Sequence, residues 1–128
     1  MEIVTENATT LAWIGDGVMS LHVRLHLVKK GFQNAHKLQQ KSAKFCSAKG
    51  QSTILQNLLN EDYFTEDELE ILRRGRNATI HSKAKNASGK QYLEATALEA
   101  WLGYLYLYNH KDRLEQALNH IIELGESL

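Results

Sequence analysis

No proline interrupts this chain of 128 residues. Almost every stretch repeats its apolar residues with the helical period, and strand-like alternation is scarce. Without proline nothing locks φ or removes a helix amide, so breaks must come from glycine, asparagine and polar runs. On that basis the first helix starts near Asn7–Thr9, runs to Lys30 and closes at Gly31. Asn34 can cap a second helix, which leads through Cys46 into a third over "AKGQSTILQNLL". Thr65 and Glu68 form a capping-box pattern ahead of "EDELEILRRGR", a short helix with an acidic first turn and a basic last turn, as the helix dipole prefers. The polar stretch "NATIHSKAKNASGK" reads as a loop, a long helix follows from about Gln91 to Tyr108, and the last runs from about Lys111 to Leu124, ending at Gly125. The expected fold is an all-α helical bundle forming one domain over residues 1–128, with no internal repeat.

At 43% hydrophobic residues the chain can bury a core. The single cysteine, Cys46, rules out an internal disulfide and a cysteine-based zinc site. No apolar run approaches the roughly 18 residues of a membrane span, and the N-terminus lacks a signal-peptide pattern. A cytoplasmic protein without membrane partners is expected. The net charge is zero, yet it is segregated: residues 17–60 hold seven basic residues and no acid, 61–72 six acids and no base, and 73–90 six bases and no acid. Such blocks can build a basic face for a polyanion on a neutral protein; ordinary solvated helix faces are the alternative.

Two carboxylates interrupt the two most apolar helices. On a helical wheel the first helix carries one stripe of Leu11, Ile14, Val18, Leu21, Leu25 and Val28, the expected core face. A second stripe of Ala12, Met19, Val23 and Leu27 lies nearly opposite, so the helix is either central in the fold or packed against a partner subunit, and Asp16 falls inside this stripe between Gly15 and Gly17. In the late helix, "ATALEAWLGYLYLY" has Glu99 as its only charge. Both acids are expected to be at least partly buried, and a buried carboxylate persists only when paired or metal-bound. A shared hard cation such as Mg²⁺ suits them, because it takes carboxylate oxygen and keeps several waters. Gly15, Gly17 and Gly103 would let another helix, a metal with its waters, or a phosphate come close. Two plainer readings stay open: Asp16 as the N-cap of a helix that begins only there, and Glu99 as an acid bonded to tyrosine hydroxyls.

Other groups are less specific. His22 and His26 stand one turn apart, but Val23 occupies the position where a zinc peptidase needs glutamate, so they read as surface histidines. Cys46 reads as a core thiol, and Ser47 and Ser52 lack a nucleophile context. Trp101, Tyr104, Tyr106 and Tyr108 read as core and interface packing. "RRGRN", Arg73 to Asn77, puts three guanidiniums and an amide at a helix end before a loop carrying Ser82, Lys83, Lys85, Asn86 and Lys90. That chemistry suits phosphate and sugar contacts; dipole capping beside a surface loop is the alternative.

Taken together these stretches resemble the ribonuclease III family. "LAWIGDGVMSLHVRLHL" is similar to its signature helix, whose core reads Leu-Gly-Asp-Ala-Val, and "ATALEAWLGYLYL" to its second metal-binding helix. "SAKGQSTIL" and "LRRGRNA" resemble the short branch called Mini-ribonuclease III, which lacks a separate double-stranded-RNA-binding domain. The resemblance spans nearly the whole chain. It implies an all-helical homodimer that cleaves double-stranded RNA by hydrolysis, leaving 5′-phosphates, with Asp16 and Glu99 as catalytic, metal-binding carboxylates for Mg²⁺ or Mn²⁺. It implies 23S ribosomal RNA precursor as substrate, with room for a ribosomal protein helper. Arg73, Arg74, Arg76, Asn77, Lys83, Lys85 and Lys49 are the expected RNA-binding residues, with other lysines of 30–49 assisting, and the second stripe of the first helix the expected dimer contact. The larger enzymes carry two further glutamates and an aspartate where this chain has Thr9, Ala12 and Thr96, and Gly17 and Leu98 replace their usual alanine and phenylalanine. A non-catalytic double-stranded-RNA-binding or ribosome-assembly module of the same fold is the alternative.

Overall fold

A computed structural model describes residues 1–78 and 88–128. These residues form six helices: α1 (Ala8–Lys29), α2 (Ala35–Cys46), α3 (Ala48–Asn60), α4 (Glu66–Arg76), α5 (Gly89–Leu107) and α6 (Lys111–Glu126). The side chains of Asn7, Asn34, Ser47, Thr65 and Ser88 each accept a hydrogen bond from an amide of the first turn that follows, satisfying donors that a helix start leaves free. The ends of α1, α3 and α5 turn through Gly31, Asp62 and Asn109, all at positive φ. At each end the next residue's amide reaches back to the helix, as Phe32 does to the Leu27 carbonyl at 3.2 Å.

Two boundaries differ from expectation. Ser88 caps α5 through Gln91, so that helix begins two residues early. Gly125 lies inside α6 rather than ending it: a Cβ there would meet the Phe45 ring at 2.2 Å. Its role is to let α6 close on α2.

The centre of the bundle is α5, which packs against α1, α3, α4 and α6. From Glu94 to Leu105 every residue except Glu99 is buried. A helix covered on all sides should be apolar nearly all round; within this span Glu94, Thr96 and Glu99 are the polar exceptions.

The core face of α1 is mostly the stripe opposite the expected one: of the expected stripe Leu11 is buried and Ile14 and Val18 are half-buried. Leu11, Ala12, Gly15, Met19, Val23 and Leu27 are buried. From the stripe expected inside, Leu21 is 60%, Leu25 49% and Val28 57% exposed, and neighbouring Trp13 is 77% exposed. Both stripes are apolar, so hydrophobicity could not separate them; backbone clearance does. A Cβ on Gly15 would lie 1.7 Å from the Glu99 carbonyl oxygen, and one on Gly103 1.9 Å from that of Leu11. The two glycines let α1 and α5 touch backbone to backbone, and that contact fixes which face of α1 turns inward. The second stripe, expected to meet a partner subunit, is therefore consumed inside the chain.

Candidate active site

The Gly15–Gly103 contact sets Asp16 beside Glu99. Asp16 follows Gly15 by one position, and Glu99 precedes Gly103 by one turn, so the two carboxyl groups meet where α1 crosses α5. Asp16 is not buried as expected: it is exposed, because it sits at the rim of the crossing and nothing stands within 4 Å of a Cβ placed on Gly17. Glu99 is half-buried. Burial first, then the hydrogen bond and charge of Asp16, push its carboxyl up to about 8, while a bond from Gln51 acts the other way. Both plainer readings fall away. Helix α1 runs unbroken through Asp16, and the tyrosine hydroxyls serve other acids: Tyr104 donates to Glu2, and Tyr108 to Glu6 at 2.6 Å.

Of the occupants expected beside the glycines, it is another helix that two of them admit. Gly15 and Gly103 are filled by opposing backbone; Gly17 alone borders open space. The three positions that hold acids in the larger enzymes carry no substitute ligand. Thr9 donates to the capping Asn7 at 2.8 Å, Ala12 is buried, and Thr96 donates to the Tyr92 carbonyl of its own helix at 3.0 Å. Among the described residues no group of three or more His, Cys, Asp or Glu side chains converges as a metal site. The donor chemistry fits a hard divalent ion nonetheless. A cation between Asp16 and Glu99 would offset the burial and the neighbouring carboxylate that together raise Glu99, and with two protein carboxylates it would retain waters.

Around this pair stand groups the sequence did not single out. Gln51, at 3% exposure, donates from Nε2 to the Cys46 carbonyl at 3.0 Å and to Glu99 Oε2 at 3.4 Å. Burial, then the Asp16 charge, raise the Cys46 thiol to about 11, which leaves it unreactive. Two further acids are buried: Glu94, and Glu68 of the capping box. Glu94 accepts from Ser52 at 2.9 Å and from Gln56. Glu68 accepts from Arg113 Nη2 at 2.7 Å and Nε at 2.9 Å. Burial raises Glu68, but the Arg113 bonds and the Thr65 amide outweigh it and hold the carboxyl below its usual range. Glu68 is disguised by the acidic turn around it, whereas Glu94 stands among uncharged residues and its partners Ser52 and Gln56 lie 42 and 38 positions away on α3.

The expected RNA-binding residues divide. Arg73, Arg74 and Asn77 line a cleft of about 580 Å³ with Glu6, Asn7 and Thr9 at the start of α1. Arg73 is also held by Glu70, Nε to Oε1 at 2.6 Å. Arg76 faces a separate cavity of about 390 Å³ with Gln56, Lys90, Leu93 and Glu94. Gly75 between them is structural, since its Cβ would lie 2.5 Å from Ala97 Cα. Lys49 is exposed in the first turn of α3; Lys83 and Lys85 lie outside the described residues. Of the supporting lysines, Lys30 is paired with Glu126 at 2.8 Å and Lys44 donates to the Glu126 carbonyl at 3.2 Å. The histidines are not free surface groups: His22 and His26 are half-buried, and His26 meets Glu126 at 3.3 Å.

Comparison with known proteins agrees with this geometry. The ribonuclease III domain model matches residues 9–110, which include both carboxylates. A protein of Staphylococcus aureus described as Mini-ribonuclease 3 is 44% identical over 92% of this chain and 88% of its own length. Another, from Streptococcus pneumoniae, is 41% identical over 94% of each chain. A crystal structure of a Fusobacterium nucleatum protein superposes with a TM-score of 0.80 at 27% identity, covering 93% of both chains. With a domain match over most of its length and relatives of this identity, the chain belongs to the ribonuclease III family.

Proposed function

We propose that Asp16 and Glu99 are the catalytic, metal-binding carboxylates of an endoribonuclease that hydrolyses double-stranded RNA. Family membership makes the chain an endoribonuclease of double-stranded RNA, and enzymes of this family depend on a divalent metal. The observation that carries the residue assignment is the meeting of Asp16 and Glu99 at the α1–α5 crossing, where Glu99 is raised to about 8 by burial and by its neighbour. Mg²⁺, or Mn²⁺ in its place, would be held by these two groups. When bound it supplies an activated water and neutralises charge developing on the phosphate. The protein's part is to fix the two carboxylates on one rigid crossing, with Asp16 open to solvent and substrate on the Gly17 side and Glu99 shielded behind it.

Duplex RNA is read by its phosphates and 2′-hydroxyls, because side chains do not enter its narrow major groove. Arg74 and Asn77 at the α4 end, with Arg73, Arg76, Lys49, Lys83 and Lys85, are the proposed contacts. The proposed substrate is ribosomal RNA precursor, specifically that of 23S, met in the cytoplasm; the relatives' printed name, Mini-ribonuclease 3, supports the ribonuclease activity itself. No described helix is long and apolar enough to cross a membrane. Residues 1–128 serve as one catalytic domain. The proposed homodimer uses the exposed stripe of α1, Leu21, Leu25 and Val28 with Trp13, rather than the stripe that α5 covers.

The test is cleavage of a duplex RNA by wild type and Glu99→Gln with Mg²⁺, and by wild type in chelator. Cutting only by wild type with metal supports the assignment. Equal cutting by Glu99→Gln removes Glu99 from the chemistry. Binding without turnover under any metal condition would favour the non-catalytic module, to which the loss of acids at Thr9, Ala12 and Thr96 lends its only support.

A further inference from the structure

The two carboxylates have a third neighbour whose chemistry is unspent. Gln51 stands in the second turn of α3 with its side chain 3% exposed. Its backbone is fixed from both sides. The Gln51 amide donates to the Ser47 carbonyl at 2.9 Å, and the preceding Gly50 is seated so closely on α2 that a Cβ would lie 2.2 Å from the Lys44 carbonyl oxygen. The side-chain amide is oriented as well. The Cys46 carbonyl can only accept, so the group 3.0 Å away must be the nitrogen Nε2, which also reaches Glu99 Oε2 at 3.4 Å. That leaves Oε1, which is buried and has no hydrogen-bond partner among the described residues.

A buried carbonyl oxygen without a donor costs about 1–3 kcal/mol. A methionine of similar length would fill the same volume without that cost. The orphan acceptor thus has no donor among the described residues, and the residue carrying it already holds one of the two carboxylates.

We propose that Gln51 is a positioning residue for the divalent-metal site: Nε2 holds Glu99 in its liganding orientation, and Oε1 accepts a hydrogen bond from a water that the cation carries. The proposal rests on Asp16 and Glu99 being the metal carboxylates. A neutral amide suits the task because a third carboxylate here would add a negative charge to a pair that already suppresses ionisation of Glu99.

The experiment is Mn²⁺ binding to the full chain, followed by electron paramagnetic resonance, for wild type, Glu99→Gln, Gln51→Met and Gln51→Asn, with helix content and thermal unfolding in chelator as the fold control. Glu99→Gln should abolish binding. Gln51→Met should keep its helix content and its unfolding temperature in chelator, yet bind Mn²⁺ roughly ten- to a hundredfold more weakly, the usual effect of losing a group that orients a metal ligand. Its kcat on duplex RNA at saturating Mg²⁺ should fall with KM little changed. Gln51→Asn, which retracts the same amide by one methylene, decides the matter if the methionine variant does not fold: weakened Mn²⁺ affinity supports the proposal. Wild-type affinity in a folded Gln51 variant, with Glu99→Gln unable to bind, reduces Gln51 to a packing residue and overturns it. Undiminished binding by Glu99→Gln overturns the carboxylate assignment first, and this proposal with it.

Discussion

Glycine 15 and glycine 17 flank the same aspartate and look alike in the sequence, yet they face opposite demands. A Cβ at position 15 collides with the Glu99 backbone, whereas one at 17 meets nothing within 4 Å. Gly15→Ala forces α1 away from α5; it should destabilise the protein by about 1–3 kcal/mol or more and lower activity, since the displacement separates the two carboxylates. Gly17→Ala should be tolerated and even stabilising by about 1 kcal/mol through helix propensity, with activity retained. Urea denaturation and a duplex cleavage assay check both; equal cost at the two positions would refute the crossing as described. Glu99 adds a pH signature. Its folded pKa near 8 lies above the ordinary carboxylate value, so between roughly pH 4.5 and 8 the folded state holds a proton that the unfolded chain releases. In chelator, stability should therefore fall as pH rises through this window, and Glu99→Gln should flatten that fall. The pair itself was legible, since two lone acids in apolar helices are conspicuous. The exposure of Asp16 was not, because a wheel shows the face of a residue but not how far the opposing helix covers it.

Elements were legible where their signals are local. The capping box of α4, its acid-first and base-last order and the asparagine caps of α1 and α2 all depend on residues within one turn, and the structure has them as expected. What joins one element to another was not. Glu68 reads as one more acid in an acidic turn, yet it is 3% exposed and clamped by Arg113 from α6, 45 positions away. Arg113 also donates to the Tyr63 carbonyl at 2.7 Å and stacks its guanidinium 4.3 Å from the Tyr63 ring centre. Arg113 thereby ties α6 to the α3–α4 junction. Arg113→Met would leave Glu68 buried without its cation, and breaking such a pair costs about 3–5 kcal/mol. Replacing both partners at once, with Glu68→Gln alongside Arg113→Met, should recover part of that loss. A double-mutant cycle by thermal or urea unfolding measures it, and strict additivity would show that the two side chains do not act as a unit.

At the scale of the whole molecule, the exposed stripe of α1 and the neutral charge belong to one argument. Leu21, Leu25, Val28 and Trp13 share one side of α1, and Tyr106 and Leu107 remain exposed at the end of α5. Beside them a groove of about 650 Å³ is lined by Leu105, Leu114 and Leu118. Exposed apolar side chains grouped on one helix face suit an interaction site. A chain of zero net charge has only local basic clusters with which to hold a polyanion, so a single copy should bind duplex RNA weakly. Two copies joined through α1 would place two such clusters on one duplex, and the second would engage at a high effective concentration without any new contact. Leu21→Glu with Leu25→Glu puts like charges into that interface while leaving the core untouched, because neither side chain is buried. By sedimentation equilibrium at micromolar concentration, wild type should run at twice the chain mass and the double variant at the chain mass, with unchanged helix content. Duplex affinity should drop, and the slope of log affinity against log salt should be roughly halved, because each bound protein displaces counterions from about half as many phosphates. Wild type at the mass of one chain would dismiss the dimer. A monomeric variant that kept the full salt slope would show that one copy carries all the RNA contacts, leaving the α1 stripe with no part in binding.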